Sequence, residues 1–474
     1  MLAGADDPWA REAATLLGDP DEVAAWADRL PPGYRDRTTP AEFVDDLRAV
    51  AALERAGPGQ GDASRSAAGR AGTLGVRYNL RLRAAEAGDL AAIRLRRAGL
   101  EPVELTAVLP VLESFGMTVT EAVPQHVPAV DGRTGVHFDD FGLRAAAPVA
   151  FDVGRDGARL LEAVTATGGG LSDVDELNGL VVAAGLDWRQ VVVVRAMRRF
   201  RRQAGVAQPD AELDAALLRW PAATAAVVAY LEARLAGSAP AADPDRLRAV
   251  AAARALLLDE LAPVDQLGDD QALRGFLAVA DAVVRTNWYA SGPEGLPDTI
   301  ALKVDSGRVA ELPLPRPHVE AFVHGPTVEG VHLRMGPIAR GGIRWSDRPG
   351  DFRTEVLALA EAQTKKNAII VPTGAKGGFV VRGGRDADPD AALAAYRRYI
   401  TALLELTDDV VAGEVVHPAG VVATDGDDPY LVVAADKGTA TYSDHANAIS
   451  EARGFWLGDA FASGGSHGYD HKAL

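Results

Sequence analysis

The spacing of apolar positions divides the chain into segments of different predicted structure. Alternating apolar residues over 74–82 predict a strand. A helix is predicted after Thr106, its expected N-cap, with Gly116 as its stop. Two further strands are predicted at 117–123 and 135–138. The order strand, helix, strand, strand predicts a small α+β module of the ferredoxin-like type.

Apolar positions recur at helical spacing between about 150 and 285. The clearest helix is predicted to begin at an N-cap, Asp187, and to end at Gly205. It carries six arginines, which we interpret as a solvated or acid-paired helix face, because apolar residues form a stripe along the same segment. After residue 300, the segments TIALKV, VEAFVH and GVHLRM predict strands separated by turns rich in proline and glycine.

These patterns predict a multidomain α/β protein. The predicted parts are an N-terminal helical segment with a Gly/Ala/Ser-rich linker (1–72), the small α+β module (73–148), a mostly helical region (149–285) and an α/β domain with a mixed sheet (286–474).

Composition and charge narrow the possible classes of protein. Apolar residues make up 48% of the chain and charged residues 24%, which is enough to form buried cores. The 49 basic and 66 acidic residues give a net charge of −17, which argues against nucleic-acid binding. The lack of cysteine excludes disulfides, thiolate metal sites and a cysteine nucleophile. With no signal peptide and no long apolar run visible, we expect a cytoplasmic protein without membrane contact.

Lysine is rare and unevenly placed. Only six of the 49 basic residues are lysines, and all six follow residue 300. Arginine stays protonated, whereas a lysine in a suitable environment exchanges protons. The distribution indicates chemistry that requires an amine in the last third of the chain; a drift in composition is the alternative. The six are Lys303, Lys365, Lys366, Lys376, Lys437 and Lys472.

The segment 336–384 combines glycines with cations. Its pattern predicts a glycine turn, a helix over 352–365, a buried strand over 367–371 and a second glycine turn over 373–378. Two such turns can converge on a small dianion, because glycines let backbone amides approach it closely.

Three cations of this segment are candidates for the site. Arg340 and Lys366 would hold carboxylates, and Lys376 would be the proton-exchanging amine. We predict no metal site, and we interpret the aspartates at 425–428 as a turn.

Four long motifs resemble the large-subunit NAD-dependent glutamate dehydrogenases and occur in the order of that family: ARGGIRWSDR, KKNAIIVPTGAKGGF, DGDDPYLVVAADKGTATYSDHAN and GFWLGDAFASGGSHGYDHK. The resemblance extends upstream through LDWRQVVVVRAMRRFRRQAG and an ACT-like module at 74–145. It implies oxidative deamination of L-glutamate to 2-oxoglutarate and ammonia, NAD as cofactor, and a homo-oligomer. It also implies that 286–474 is an incomplete, dimerisation-type substrate domain.

The resemblance implies a set of substrate-binding residues. Arg340, with Gly341 and Gly342, matches the motif whose cation binds the side-chain carboxylate of the substrate. Smaller members of the superfamily usually carry lysine there, but arginine can grip a carboxylate in a bidentate way. Lys366 matches the lysine that binds the α-carboxylate, and the adjacent Lys365 is the alternative.

The resemblance also implies two catalytic residues. Lys376 matches the catalytic lysine, which polarises the carbonyl on the α-carbon or its water adduct. Asp436 matches the aspartate that moves protons to and from the amino group. We expect Lys437 to be an ion-pair partner rather than a catalyst.

The family continues into a Rossmann domain that we expect to be absent from this chain. No strand followed by GxGxxG is evident, and GPGQG at 57–61 lies in the linker. We therefore expect a truncated chain that is inactive with NAD on its own, and its cofactor-binding residues are unknown. The alternatives are a non-catalytic module for dicarboxylate binding or assembly, and a dehydrogenase of another acidic amino acid.

Overall fold

The protein folds as two compact units, Met1–Trp188 and Arg189–Leu474. The structure is a computed structural model, and it describes residues 7–55, 79–83, 91–98, 104–130, 135–145, 151–291, 295–366, 373–382 and 389–466.

The first unit combines helices with a four-stranded antiparallel sheet of order β1-β2-β4-β3. The described elements of the α+β module follow the order strand, strand, helix, strand, strand, helix. This is a cyclic rearrangement of the strand, helix, strand, strand, helix, strand order of the ferredoxin-like type. The elements are α1 (Pro8–Leu17), α2 (Pro20–Ala27), α3 (Pro40–Arg55), β1 (Asn79–Arg83), β2 (Ala91–Ala98), α4 (Leu105–Glu113), β3 (Met117–Val127), β4 (Val136–Ala145), α5 (Val153–Gly168) and α6 (Leu180–Ala183).

Two details of this module differ from the prediction. Helix α4 begins at Leu105 with Glu104 at its N-cap, so Thr106 lies inside the helix. Strand β2 was not predicted, because its sequence AAIRLRRA carries arginines on a strand that is largely buried. Its buried Arg94 donates to the carboxylates of Asp46 and Asp140, and this pairing makes the burial possible.

The second unit begins with a group of helices, as predicted for this region. None of the described helices is both long and apolar enough to cross a membrane. The helices are α7 (Trp188–Gln203), α8 (Asp210–Arg219), α9 (Pro221–Leu235), α10 (Pro244–Leu261) and α11 (Leu267–Ala282).

The arginines of α7 lie mostly in the interior rather than on a solvated face. Arg198 is buried and pairs with Asp214, and Arg199 binds Glu329 on the sheet through Nε at 2.8 Å. The interpretation as an acid-paired face is therefore confirmed for these two residues. Gly205 follows the helix with a positive φ of 86°, which suits its predicted role as a stop.

An eight-stranded mixed sheet forms the centre of the second unit, in the order β14-β13-β9-β10-β8-β7-β6-β5. Strands β5 to β8 and β10 are antiparallel neighbours, whereas β10, β9, β13 and β14 run parallel to one another. The elements are β5 (Val283–Thr286), β6 (Ile300–Val304), β7 (Val319–His324), β8 (Val328–Arg334), β9 (Ala339–Trp345), α12 (Phe352–Lys366), β10 (Thr373–Val381), α13 (Pro389–Leu404), β11 (Asp409–Val411), β12 (Glu414–Val416), β13 (Val432–Ala435), α14 (Ser443–Ala452) and β14 (Ala462–Ser463).

Both predicted glycine turns are strands in the structure, namely β9 and β10. The prediction was wrong because the glycines provide room for packing rather than for a turn. A Cβ on Gly378 would lie 2.4 Å from Cγ2 of Val356 on α12. A Cβ on Gly377 would lie 2.7 Å from the hydroxyl of Tyr399 on α13. The two helices therefore pack directly on the backbone of β10. The strand predicted at 367–371 lies outside the described residues.

Two of the aspartates predicted as a turn, Asp425 and Asp428, belong to an ionic cluster with basic residues of strands β5 and β6. Asp425 accepts from Lys303 and from the buried Arg285, at 2.5 and 2.6 Å. Asp428 lies 2.7 Å from Lys303 Nζ as well. At least one of the six lysines is thus structural, so amine chemistry does not explain the whole distribution.

His332 on β8 gives the second unit a predicted dependence on pH. Burial, and secondarily the charge of Arg334, lowers its pKa from 6.5 to about 3, and Nε2 has no hydrogen-bond partner among the described residues. Below pH 6.5 the unfolded chain therefore binds a proton that the folded chain does not, and stability falls as the pH decreases toward 3.

Between about pH 7 and pH 5, His332 takes up a proton in the unfolded chain only. We expect this to lower the free energy of unfolding by about 2 kcal/mol. Urea unfolding at both pH values checks this in the wild type and in His332→Leu, which should lose that much less on acidification. His318→Gln, at an exposed histidine, is the control and should follow the wild type. An identical pH slope in His332→Leu and wild type would contradict the assignment.

Candidate active site

The site lies on one face of the parallel strands β9 and β10. Gly374 pairs with Arg340 and Gly377 with Ile343, so the same register sets Lys376 beside Gly342. Because side chains alternate along a strand, Arg340, Gly342 and Lys376 share one face of the sheet.

Lys376 reaches across Gly342 to Asp436, which follows the end of β13. Its Nζ donates to Oδ2 of Asp436 at 2.5 Å. Both side chains retain some contact with solvent, at 17% and 18% exposure. The two residues predicted to be catalytic, 60 positions apart in the chain, therefore form one accessible ion pair.

The two glycines of β9 make this contact possible. A Cβ on Gly342 would lie 3.3 Å from Lys376 Nζ and 3.0 Å from Asp436 Cβ, in the space between the paired groups. A Cβ on Gly341 would lie 1.6 Å from the carbonyl oxygen of Ala375, so no larger residue fits there. The absence of a side chain at Gly342 thus leaves room for the ion pair, and Gly341 permits the close approach of β9 and β10.

Asp436 is held by hydrogen bonds to its backbone and side chain. Its Oδ1 accepts from the backbone N–H of Lys437 at 2.7 Å, and its own N–H donates to Oγ1 of Thr439 at 3.0 Å. Burial raises the pKa of Asp436, but the bonds from Lys376 and Lys437 and the charge of Arg344 outweigh it and leave the pKa below its usual range. The carboxylate is therefore ionised at neutral pH.

The structure adds Arg344, which the sequence argument missed, to the surroundings of Asp436. Its Nη2 lies 3.8 Å from Oδ1 of Asp436, and its Nη1 donates to Oε1 of Glu355 at 2.6 Å. Ser346 donates to the other oxygen of Glu355 at 2.6 Å. Period-two alternation along ARGGIR was the available signal, since Arg344 shares the face of Arg340.

The predicted carboxylate-binding cations are described only in part. Arg340 is exposed on the face of Lys376, and its carbonyl oxygen accepts from Nε2 of Gln363 at 3.1 Å. Lys366 is the last residue of α12, but its side chain and that of Lys365 lie outside the described residues. Arg340, Arg344 and Lys376 are therefore cations that the structure places on this face.

We find no dinucleotide site in the described part of the chain. There, strands β9 and β10 form a βαβ unit with α12, which is where a pyrophosphate would bind if the loop were rich in glycine. The connecting sequence SDRPGD instead places Asp347 and Asp351 before the helix, and Glu355 lies in the first turn of α12. These acidic groups disfavour an anion at the helix N-terminus. These residues do not fit NAD, and we derive no step through it.

One group of residues has the spacing of a cation site but not the free oxygens. Asp408, His417 and Asp427 each place a ligand atom within 4.8 Å of the others. Oδ1 of Asp408 already accepts hydrogen bonds from Arg285 and His417. Its Oδ2 accepts from Arg285 and from the backbone N–H of Asp428. The group is therefore an ion-pair cluster.

Models of known protein families match three parts of the chain. A family model described as the catalytic domain of bacterial NAD-glutamate dehydrogenase matches residues 256–474, which include every candidate site residue. Two further models match upstream, helical motif 3 of glutamate dehydrogenase at 172–236 and its ACT3 domain at 77–155.

Curated relatives named NAD-specific glutamate dehydrogenase are similar to this chain over most of its length. The NAD-specific glutamate dehydrogenase of Mycobacterium tuberculosis is 45% identical over 79% of this chain and 24% of its own length. That of Halomonas elongata is 38% identical over 100% of this chain and 28% of its own length. That of Pseudomonas aeruginosa is 40% identical over 95% of this chain and 27% of its own length. The chain thus spans about a quarter of the length of these relatives. It belongs to the family of NAD-specific glutamate dehydrogenases.

Proposed function

We propose that this chain supplies the substrate-binding and proton-transferring groups for the NAD-dependent oxidative deamination of L-glutamate to 2-oxoglutarate and ammonia. The ion pair between Lys376 and Asp436 over Gly342 is the observation that carries the proposal. Such a pair combines an amine and an ionised carboxylate at one accessible point, which suits a reaction with several proton transfers.

Substrate binding is assigned to the cations at the edges of this face. Arg340 binds the side-chain carboxylate, with Gly341 and Gly342 allowing the substrate to lie against β9. Lys366 or Lys365 binds the α-carboxylate. The exposed guanidinium of Arg340 supports this role, because it remains accessible to a ligand.

The proton transfers are assigned to the ion pair. When the α-carbon has been oxidised to the iminium, water must add to it and lose a proton. Lys376 donates a hydrogen bond to the oxygen that this addition creates, and Asp436 accepts the proton. Asp436 then returns the proton to the amino group. As ammonia leaves, the hydroxyl on the same carbon gives its proton to Asp436 and the carbonyl of 2-oxoglutarate forms, and this proton passes from Asp436 to ammonia to give ammonium. Over the whole reaction, glutamate, water and NAD⁺ give 2-oxoglutarate, ammonium, NADH and one proton.

Further parts of the proposal follow from the family. They are NAD as hydride acceptor, a homo-oligomeric assembly, a cytoplasmic location, and the division of the chain at about residues 72, 148 and 285. The described residues supply no binding site for NAD.

Binding of 2-oxoglutarate tests the substrate assignment without a cofactor. Calorimetry on the 474-residue chain should show 2-oxoglutarate binding, and Arg340→Ala should weaken it by about 10- to 100-fold, the loss of a charge-assisted hydrogen bond. Pyruvate, which lacks the second carboxylate, should bind equally weakly to both proteins.

Arg248→Ala is the control for this experiment. Arg248 is an exposed arginine on α10, paired with Asp245, so its loss should leave the affinity for 2-oxoglutarate unchanged. Equal affinity of wild type and Arg340→Ala for 2-oxoglutarate would reject the role of Arg340. Comparison with oxaloacetate, one carbon shorter, distinguishes glutamate from aspartate as the amino acid served.

A further inference from the structure

Asp436 is approached by charged groups from two other strands of the sheet, β9 and β10. Lys376 on β10 binds Oδ2 directly, and Arg344 on β9 faces Oδ1 across 3.8 Å. Helix α12 contributes Glu355, which reaches Asp436 only through Arg344. The backbone N–H of Lys437 completes the contacts of the carboxylate among the described residues.

Arg344 is restrained at a distance from Asp436 by a competing acid. Glu355 accepts the short hydrogen bond from Nη1, whereas Nη2 lies beyond hydrogen-bond distance of Asp436. Glu355 is itself fixed, since its second oxygen accepts from the buried Ser346. Nε of Arg344 is buried and has no hydrogen-bond partner in the described part of the chain. The bond to Glu355 is therefore what sets the position of the guanidinium.

This arrangement has a consequence for proton transfer. A guanidinium bonded directly to Asp436 would occupy an oxygen that must accept a proton and would strongly favour the charged carboxylate. A guanidinium held 3.8 Å away favours the charged form without occupying the oxygen.

We propose that Arg344 and Glu355 act as a pair of positioning residues, in which Glu355 holds Arg344 at the distance that keeps Asp436 ionised yet free to accept a proton. The inference rests on the proposed function for the role of Asp436, and it assigns a task to two residues that do not touch the substrate. It predicts that removing either partner changes the acidity of Asp436, and in opposite directions.

The expected shifts follow from the charges. Arg344→Met removes a cation beside Asp436 and should raise the pKa of Asp436. Glu355→Gln frees Arg344 to bind Asp436 directly and should lower that pKa. Arg344→Lys keeps the charge and should restore much of the wild-type value. Arg348→Met is the matched control, because Arg348 is an exposed arginine four positions later and pairs with Asp351.

The experiment is a carbon-13 titration of aspartate carboxyl groups in the 474-residue chain, with the Asp436 signal identified by its loss in Asp436→Asn. Opposite shifts of the midpoint in Arg344→Met and Glu355→Gln, with none in Arg348→Met, support the proposal. Unchanged midpoints, or shifts in the same direction, overturn it. If Arg344→Met does not fold, Glu355→Gln and Arg344→Lys decide by the same criteria.

The titration needs no substrate, so it separates this inference from the proposed function. Opposite shifts in a chain that does not bind 2-oxoglutarate would support the positioning pair and reject the proposed substrate. Normal binding of 2-oxoglutarate with no shift of the Asp436 midpoint would reject the positioning pair alone.

Discussion

Replacing Lys376 with alanine should lower the turnover number for glutamate oxidation by about 10²- to 10⁴-fold, the usual contribution of a general acid–base group. The reason is its position: Lys376 Nζ lies 2.5 Å from Asp436 and directly above Gly342. Because the interaction acts on the reacting oxygen, KM for glutamate should change far less than kcat. Steady-state rates of NADH formation measure both quantities, in a longer protein that carries this chain together with an NAD-binding domain.

Two companion variants make this result specific. Asp436→Asn keeps the shape of the carboxylate but cannot accept the proton, so it should lower kcat to a similar degree. Arg248→Met, on the exposed face of α10, should leave both constants unchanged. A Lys376→Ala enzyme with normal kcat and raised KM would show that the lysine only binds substrate, and the catalytic assignment would be wrong.

Replacing Gly341 with alanine should destabilise the second unit by more than about 4 kcal/mol, a size that point mutations reach only through severe steric conflict. The added Cβ would lie 1.6 Å from the backbone oxygen of Ala375, and a backbone atom cannot rotate away as a side chain can. Relief requires β9 and β10 to separate, which breaks the parallel pairing between them. Urea unfolding followed by circular dichroism measures the change.

Gly350→Ala is the matched control for this prediction. Gly350 lies in the exposed connection that precedes α12, and an added Cβ there would meet no atom within 4 Å. Its unfolding free energy should stay within about 0.5 kcal/mol of the wild type. A Gly341→Ala protein as stable as Gly350→Ala would show that β9 and β10 do not approach as closely as described.

Local patterns predicted the regular elements of the second unit well. Helix α12 and strands β6 to β8 lie close to where the apolar positions predict them. The glycine-rich strands β9 and β10 were predicted as turns. Glycine is ambiguous in sequence, since it serves a turn through its backbone freedom and a strand through its lack of a side chain.

The site was predictable only as far as motifs and alternation reach. Motif resemblance named Lys376 and Asp436, which the structure joins in one ion pair, and their catalytic roles stay predictions. Arg344 and Glu355 were missed because their pairing depends on how α12 lies over β9, which no local pattern specifies. Strand β2 was missed for a related reason, since Arg94 is buried against acids distant in the chain.

The most direct measurement is a crystal structure of the protein soaked with 2-oxoglutarate. The account predicts that the keto oxygen lies about 3 Å from Lys376 Nζ, with the distal carboxylate against Arg340 and Asp436 beside the keto carbon. A 2-oxoglutarate molecule bound elsewhere, with the bond between Lys376 and Asp436 undisturbed and its face empty at saturating ligand, would contradict it.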